Sequence, residues 1–392
     1  MRILILYPNS FPIGGAATNR LLSLCLGLIE KGHCVKVIIS RPTERRGFEL
    51  NQSIKGSYLG VEFEYATDNI IWPENKLLKF KELFHCSLKT ISMVFKAHRK
   101  IKFDLIVSAA TYTFSENLPY YWLAKITKSK LVLTIDEYPW VIIHRGKYSS
   151  VYRWFYISFY YKLFDGFIVM TKTLVSYYRK LASQWAKFIH IPMTVEIERF
   201  VNVPMIKNRS NYIAYCGNDP SGTKDGVNML IDAFEIIKDD FPSYQLLLVG
   251  KVHPLVQEKI KNKHLQNRVV TVGVIHRDHI PAVMVNARAL CLSRPDNLQA
   301  DGGFPTKLGE YLAAGRPVVI TDVGEITEYL TDGVNAFISG PDDVSAYAEK
   351  LKSCLLDPDN ADNIGIAGRR VAFERFNFSN YSEDLHLFLS NL

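Results

Sequence analysis

A chain of 392 residues, 48% of them hydrophobic, has enough length for two or three domains with separate cores. Both charge signs are abundant and no apolar run reaches membrane-spanning length, so the composition is that of a soluble globular chain. Six scattered cysteines without a CxxC pair (Cys25, Cys34, Cys86, Cys216, Cys291, Cys354) argue against structural zinc and a disulfide framework, and for a reducing cytoplasm.

The formal net charge of +8 conceals an asymmetry. Met1–Ile197 carries 27 Lys and Arg against 14 Asp and Glu, a net of +13. The remainder carries 20 against 25, a net of −5. A basic half points to an anionic surface, either nucleic acid or membrane.

In chain order, MRILIL reads as a buried first strand, Arg2–Tyr7, rather than a signal peptide. A loop with Gly14-Gly15 follows, then an amphipathic helix from Asn19 to about Lys31 and a strand Cys34–Ser40. This βαβ opening predicts a doubly wound sheet, whose first loop faces the ligand cleft. The glycine pair lacks GxGxxG spacing, so a nicotinamide dinucleotide is not indicated. Lys76–Lys102 has helical apolar spacing and eight cations against the single Glu82, which suits either a solvated basic face or an anionic leaflet. Asp104–Ser108 and Lys130–Ile135 read as strands, the second delivering Asp136 and Glu137 to a loop at a strand end. Tyr148–Phe164 is dense in aromatic residues, either as packed core or as an interfacial surface. Asp165–Met170 is a further strand, and Ile189–Ser210 reads as a linker, placing a boundary near 195–210.

The alternation restarts with strand Tyr212–Cys216, loop Gly217–Lys224, helix Val227–Lys238 and strand Tyr244–Val249. A charged helix, strand Val269–Val272, a helix near 278–286 and strand Ala289–Ser293 follow. Arg294–Asp322 then passes through a Gly-Gly-Phe-Pro turn into a compact helix, Thr306–Ala314, with Thr306 expected as its N-cap. Gly315 stands at C′, and Pro317–Thr321 is the next strand. Lys307 adds charge beside the free amides of the helix start, and Glu310 can accept from hydroxyls beside a phosphate. Asp357-Pro358-Asp359 reads as a turn in a polar loop rather than a metal motif.

Most of the chain resembles the retaining glycosyltransferases of the GT-B fold, the GT4-like family. YCGNDPSGTKDGVNMLIDAF is similar to the family's first C-domain strand, phosphate loop and helix, placing Lys224 on the lysine that clamps the donor diphosphate. GGFPTKLGEYLAAGRPVVITDVGEITEYLTDGVNAFI is similar to the donor-site helix, with Glu310 on the ribose-binding second Glu of E-x7-E. Phe304, Pro305 and Thr306, after Gly303, fall on the segment whose amides hold diphosphate and sugar. HIPMTVEIERF resembles the interdomain segment, and GRRVAFERFNFSNYSEDLHLFL the C-terminal helix that crosses back to the first domain. Three positions depart from the pattern. Gly302 replaces the first Glu, with Asp301 beside it; Asn218 replaces an Arg; Asp136-Glu137 replaces a first-domain His.

The resemblance implies an α/β chain of two Rossmann-like domains facing a central cleft. Residues 1–197, joined by 376–392, would bind acceptor, and 198–375 would bind a nucleotide-diphosphate sugar. Lys224, Arg294 and Lys307 would balance the leaving diphosphate, so no metal or other cofactor is expected. Asp301, Asp136 and Glu137 are the candidate catalytic carboxylates, and Gly14, Gly15 and Asn218 join the donor set. The expected reaction is glycosyl transfer, with retention, to a membrane lipid-linked saccharide in surface polysaccharide or glycolipid synthesis. The enzyme would be cytoplasmic and peripheral on the inner face of the cell membrane. A GT-B nucleotide-sugar epimerase and a catalytically idle membrane-docked scaffold are the alternatives. Nucleic acid is disfavoured, because the basic residues alternate with apolar helix positions.

Overall fold

The computed structural model describes residues 1–109, 114–139, 150–204, 211–218 and 224–392. Tyr148 and Ser149, most of the loop 217–224 and the linker residues 205–210 lie outside that range. The chain divides into two compact units, Met1–Thr194 with Phe378–Leu392, and Val195–Asn377.

The first unit contains strands β1 (Arg2–Tyr7), β2 (Cys34–Ile39), β3 (Lys55–Tyr58), β4 (Val61–Tyr65), β5 (Leu105–Ser108), β6 (Lys130–Ile135), β7 (Gly166–Val169) and β8 (Lys187–His190). Its helices are α1 (Ala16–Glu30), α2 (Lys76–Lys100), α3 (Phe114–Thr127), α4 (Ser150–Phe159) and α5 (Lys172–Arg179). Among the described residues the sheet order is β3-β4-β2-β1-β5-β6-β7-β8, parallel except for the β3–β4 hairpin. Strand order reverses between β1 and β5, and that switch point lies at the exits of Tyr7 and Ser108. Ile3 to Tyr7 are all buried, as expected of a central strand covered on both faces.

The second unit contains β9 (Tyr212–Cys216), β10 (Gln245–Val249), β11 (Val269–Gly273), β12 (Ala289–Leu292), β13 (Val318–Thr321) and β14 (Phe337–Ser339). Around them pack α6 (Val227–Ile237), α7 (Pro254–Asn262), α8 (Ile280–Asn286), α9 (Leu298–Gly302), α10 (Leu308–Ala313), α11 (Val344–Leu356) and α12 (Pro358–Val371). The last helix of the chain, α13 (Ser382–Ser390), belongs to the first unit, with Leu385 and Leu389 in that unit's core. The second sheet runs β11-β10-β9-β12-β13-β14, all parallel, and its order reverses between β9 and β12.

Several local expectations are corrected. The helix expected from Thr306 starts at Leu308, and Thr306 does not cap it, because a turn from Pro305 O to Leu308 N, 3.0 Å, comes first. Asp357-Pro358-Asp359 is a corner between two helices: Asp357 caps α12 through Asn360 N at 3.1 Å and Pro358 occupies the first turn. The aromatic stretch is split by face. Tyr156, Tyr160 and Tyr161 are core residues, whereas Trp154, Phe155 and Phe159 are exposed. On α2 only Cys86, Thr90 and Val94 are buried, leaving Leu77, Leu78, Phe80, Phe84 and Leu88 exposed beside Lys79 and Lys81. Among the described residues, no helix is long and apolar enough to cross a membrane.

Candidate functional site

In the second unit, the exits of β9 and β12 at the switch point carry the residues singled out from sequence. Cys216 ends β9 and leads to Gly217 and Asn218; Leu292 ends β12 and leads to Ser293 and Arg294. Tyr311 of α10 ties that helix to β9, its hydroxyl accepting from Cys216 N at 2.7 Å. Lys307, on the turn before α10, therefore reaches across Gly217. A methyl carbon at Gly217 would lie 1.8 Å from Lys307 Cε, so only glycine leaves room for that stem.

The Lys307 ammonium pairs with the carboxylate of Asp225, which also accepts from Tyr215 OH at 2.7 Å. The same ammonium stands 5.7 Å from the Tyr215 ring centroid. Burial pushes the Asp225 carboxyl up, but Lys307, Tyr215 and Arg294 outweigh it and hold it below its ordinary 3.8. Lys307 is thus a paired cation rather than an additional free charge. Arg294 is buried, and its carbonyl accepts from Thr321 Oγ1 at 2.7 Å, joining the exits of β12 and β13. Gly226 closes the loop in a left-handed conformation, φ 71°, against the Ser293 carbonyl. Lys224, just before this pair, is exposed. Asn218 Oδ1 accepts from Lys251 N at 2.8 Å.

Glu310, on α10, pairs with Arg199 at 2.7 Å, and both are largely buried. Gly303, Phe304 and Pro305 are buried and Thr306 half-buried, with the Phe304 ring against Tyr329 and Phe376. Asp301 lies exposed near the end of α9, a one-turn helix capped by Asn297 Oδ1 on Ala300 N at 2.9 Å.

The first-unit candidates occupy strand exits of their own sheet. Gly14 and Gly15 lie on the loop after β1, which Tyr65 and Asn51 tie down at Phe11 and Ile13. Tyr65 OH donates to Phe11 O at 3.0 Å, and Asn51 bonds both Ile13 N and Ile13 O, at 3.0 and 2.8 Å. Asp136 leaves β6 and is paired at 2.9 Å with Arg20, a fully buried residue that also donates to Ile191 O and Pro192 O. Burial raises the Asp136 carboxyl above its ordinary range, against Arg20 and with help from Glu137. Glu137 is half-buried, its carbonyl accepting from Tyr178 OH at 2.8 Å. The structure thus gathers Asn218, Lys224, Arg294, Lys307 and Glu310 around one sheet edge of the second unit, and Gly14, Gly15, Asp136 and Glu137 on strand exits of the first. Asp225, Arg199, Arg20 and Asn51 were not singled out in sequence. Asp225, next to Lys224, carried a usable signal; the other three depend on contacts distant in sequence.

Residues 210–357 match the sequence family described as Glycosyl transferases group 1. The matched stretch lies wholly within the second unit. A GDP-mannose-dependent alpha-(1-6)-phosphatidylinositol monomannoside mannosyltransferase of Mycolicibacterium smegmatis is 27% identical over 199 residues, 48% of this chain and 52% of that one. The chain spans about half or less of the length of the first curated relatives it matches. Sucrose-phosphate synthase from Thermosynechococcus elongatus superposes with a TM-score of 0.73 at 17% identity, over 100% of this chain and 98% of that one. Anabaena HepE in complex with UDP-glucose superposes with a TM-score of 0.70 at 16% identity, over 100% of both chains. The fold is that of the GT-B glycosyltransferases. The stretch similar to the group 1 family, residues 210–357, contains the whole second-unit edge from Asn218 to Glu310.

Proposed function

We propose that the chain transfers a glycosyl group from a nucleotide-diphosphate sugar bound by the second unit. One observation carries this reading: Lys224, Arg294, Lys307 and Glu310 converge on the carboxyl edge of a parallel sheet at its switch point, within the stretch similar to the group 1 family. Glycosyl transfer develops charge on the departing diphosphate, and preorganised cations there stabilise the transition state more than the ground state. Lys224 and Arg294 supply that charge, with Lys307 held in place by Asp225. Glu310 accepts from the ribose, and Asp301 takes a sugar hydroxyl. The side chains supply the neutralising charge, so the reaction proceeds without a metal, and by resemblance with retention.

The acceptor belongs to the first unit, and its surface favours one presented by a membrane. Leu77, Phe80, Phe84 and Leu88 lie on one stripe of α2, exposed among lysines, in a half with a net charge of +13. Such a face suits a cytoplasmic enzyme resting peripherally on the anionic inner leaflet, acting on a lipid-linked saccharide for surface polysaccharide or glycolipid. The mycobacterial relative, named for a phosphatidylinositol mannoside substrate, supports the same choice. Calorimetry of UDP and GDP on K224A and E310A tests the donor site. Each variant is expected to lose a charge-assisted contact of about 1.5–3 kcal/mol, with turnover of the matching sugar nucleotide persisting in excess EDTA. Wild-type affinity in both variants would remove the donor site from this edge; abolition by EDTA with rescue by Mn²⁺ would overturn the charge assignment.

A further inference from the structure

The segment after the unit boundary, Glu196–Phe200, contains three charged residues, Glu196, Glu198 and Arg199, that no part of the donor reading uses. It folds as a short 3-10 turn whose Ile197 and Phe200 are buried, which fixes the direction of the side chains between them. Arg199 emerges with its guanidinium 5.7 Å from the Phe200 ring centroid and uses both ends of its fork. One nitrogen donates to Glu310 Oε1 at 2.7 Å, and the other to the carbonyl of Arg277 at 2.9 Å. Arg277 in turn donates to Glu196 Oε2 at 2.8 Å. Three stretches of the second unit are thereby joined: the 196–200 turn, the 277–279 turn that opens α8, and helix α10.

The geometry has a chemical consequence. A carboxylate on a flexible stem loses rotamer freedom when it accepts from a ligand hydroxyl, whereas one already fixed by a guanidinium does not. Among the described residues, the bond to Arg199 is the one hydrogen bond that the Glu310 side chain makes, and it engages Oε1 alone. Oε2 remains available to accept. A planar fork suits this task and an ammonium does not, because only the fork can hold a carboxylate and a carbonyl at fixed relative angles.

We infer that Arg199 is a positioning residue for nucleoside recognition, orienting Glu310 toward the ribose and fastening it to the Arg277 turn. The inference rests on the donor reading of Glu310, and the experiment separates the two. Affinities of UDP, GDP and their 2′-deoxy and 3′-deoxy counterparts are measured by calorimetry on wild type, R199M, R199K and E310Q, with inorganic pyrophosphate as a probe of the phosphate end alone. Wild type should prefer the ribonucleotide over at least one deoxy form. R199M should reduce that preference about tenfold or more, toward a ratio of one, with pyrophosphate affinity unchanged. E310Q should do the same, and R199M/E310Q should add nothing further. R199K should retain an intermediate preference; if R199M does not fold, this variant carries the test. A wild-type preference in R199M, or in R199K where it alone folds, with E310Q collapsed, would reduce Arg199 to a structural strut. A wild-type preference in E310Q would instead sink the ribose reading of Glu310 itself.

Discussion

Asp225→Asn should make the protein less stable and make it bind nucleoside diphosphate more tightly. The two effects have one cause. Asp225 is nearly fully buried and neutralises Lys307, whose side chain retains 17% exposure. Removing one partner of a buried pair costs about 3–5 kcal/mol when the survivor is wholly enclosed. Here Lys307 keeps some solvent, and asparagine still accepts from Tyr215, so about 2–3 kcal/mol is expected. For a unit of this length that lowers Tm by about 4–12 °C. The affinity moves the other way. Each unit of negative charge on a diphosphate about 8 Å from the Asp225 carboxylate, at an effective dielectric constant of about 20–40, is repelled by about 1–2 kcal/mol. Removing the Asp225 charge should therefore tighten UDP or GDP binding by at least about 5- to 30-fold.

The pH dependence supplies the sign. Asp225 in the folded protein titrates below its ordinary 3.8. Its contribution is therefore fully present above that value and is lost as pH falls through the folded value. The stability gap between wild type and D225N should hold from neutral pH to about 4 and close below it. K307M should lose stability too, because Asp225 is then buried without its cation, but its diphosphate affinity should fall. Denaturant titration and calorimetry on both variants decide the matter. Lower stability in D225N with unchanged or weakened affinity would show that no diphosphate lies near this pair. Unchanged stability at pH 7 would refute the account of the ion pair itself.

Two further outcomes follow from the same structure. Gly226→Ala should cost more than about 3 kcal/mol, from a left-handed conformation and a methyl carbon placed 1.6 Å from the Ser293 carbonyl oxygen; Gly217→Ala meets side chains rather than backbone, the Lys307 stem and the Tyr215 hydroxyl at 2.8 Å, so denaturant unfolding should find it less damaging while Lys307 is displaced. Liposome sedimentation should show binding to anionic but not neutral vesicles, weakened by salt and by Lys79, Lys81, Lys96 and Lys100 together becoming Glu; equal recovery with neutral and anionic lipid would end the membrane reading and leave the donor site as it stands.

The parts of the fold visible in sequence were those whose signal is local. β1, β6, β9 and β12 are continuous apolar runs bounded by polar residues, the pattern of strands buried on both faces. The β3–β4 hairpin was missed because Lys55–Tyr58 is an exposed edge strand with little apolar content, held by pairing to Val61–Tyr65. The helix α3 was hidden by Pro119 inside it, and β8 by its merging with the linker residues that follow. Thr306 looked like a cap because the motif rule sees residue types, whereas the Pro305–Leu308 turn that displaces it is a matter of geometry.

The site shows the same division at a finer scale. Glu310 and Lys307 stand three residues apart, and sequence placed both at a phosphate. Each is charged, and each has found its partner far along the chain: Glu310 at Arg199, Lys307 at Asp225. Sequence reading treats a cation near a glycine loop as free charge, because the pairing that neutralises it is created by folding. Asp136 makes the point for acids, since its place at a strand exit suggests a catalytic carboxylate and the buried Arg20 beside it makes it half of an ion pair. Charge type and position along a strand were therefore legible, while the electrostatic state of each group was not. Where a buried partner exists, the useful variant changes the partner. Replacing Lys307 removes a charge and a packing stem together, whereas replacing Asp225 by Asn leaves the lysine in place and alters only what opposes it. That separates the contribution of the cation to binding from its contribution to the fold.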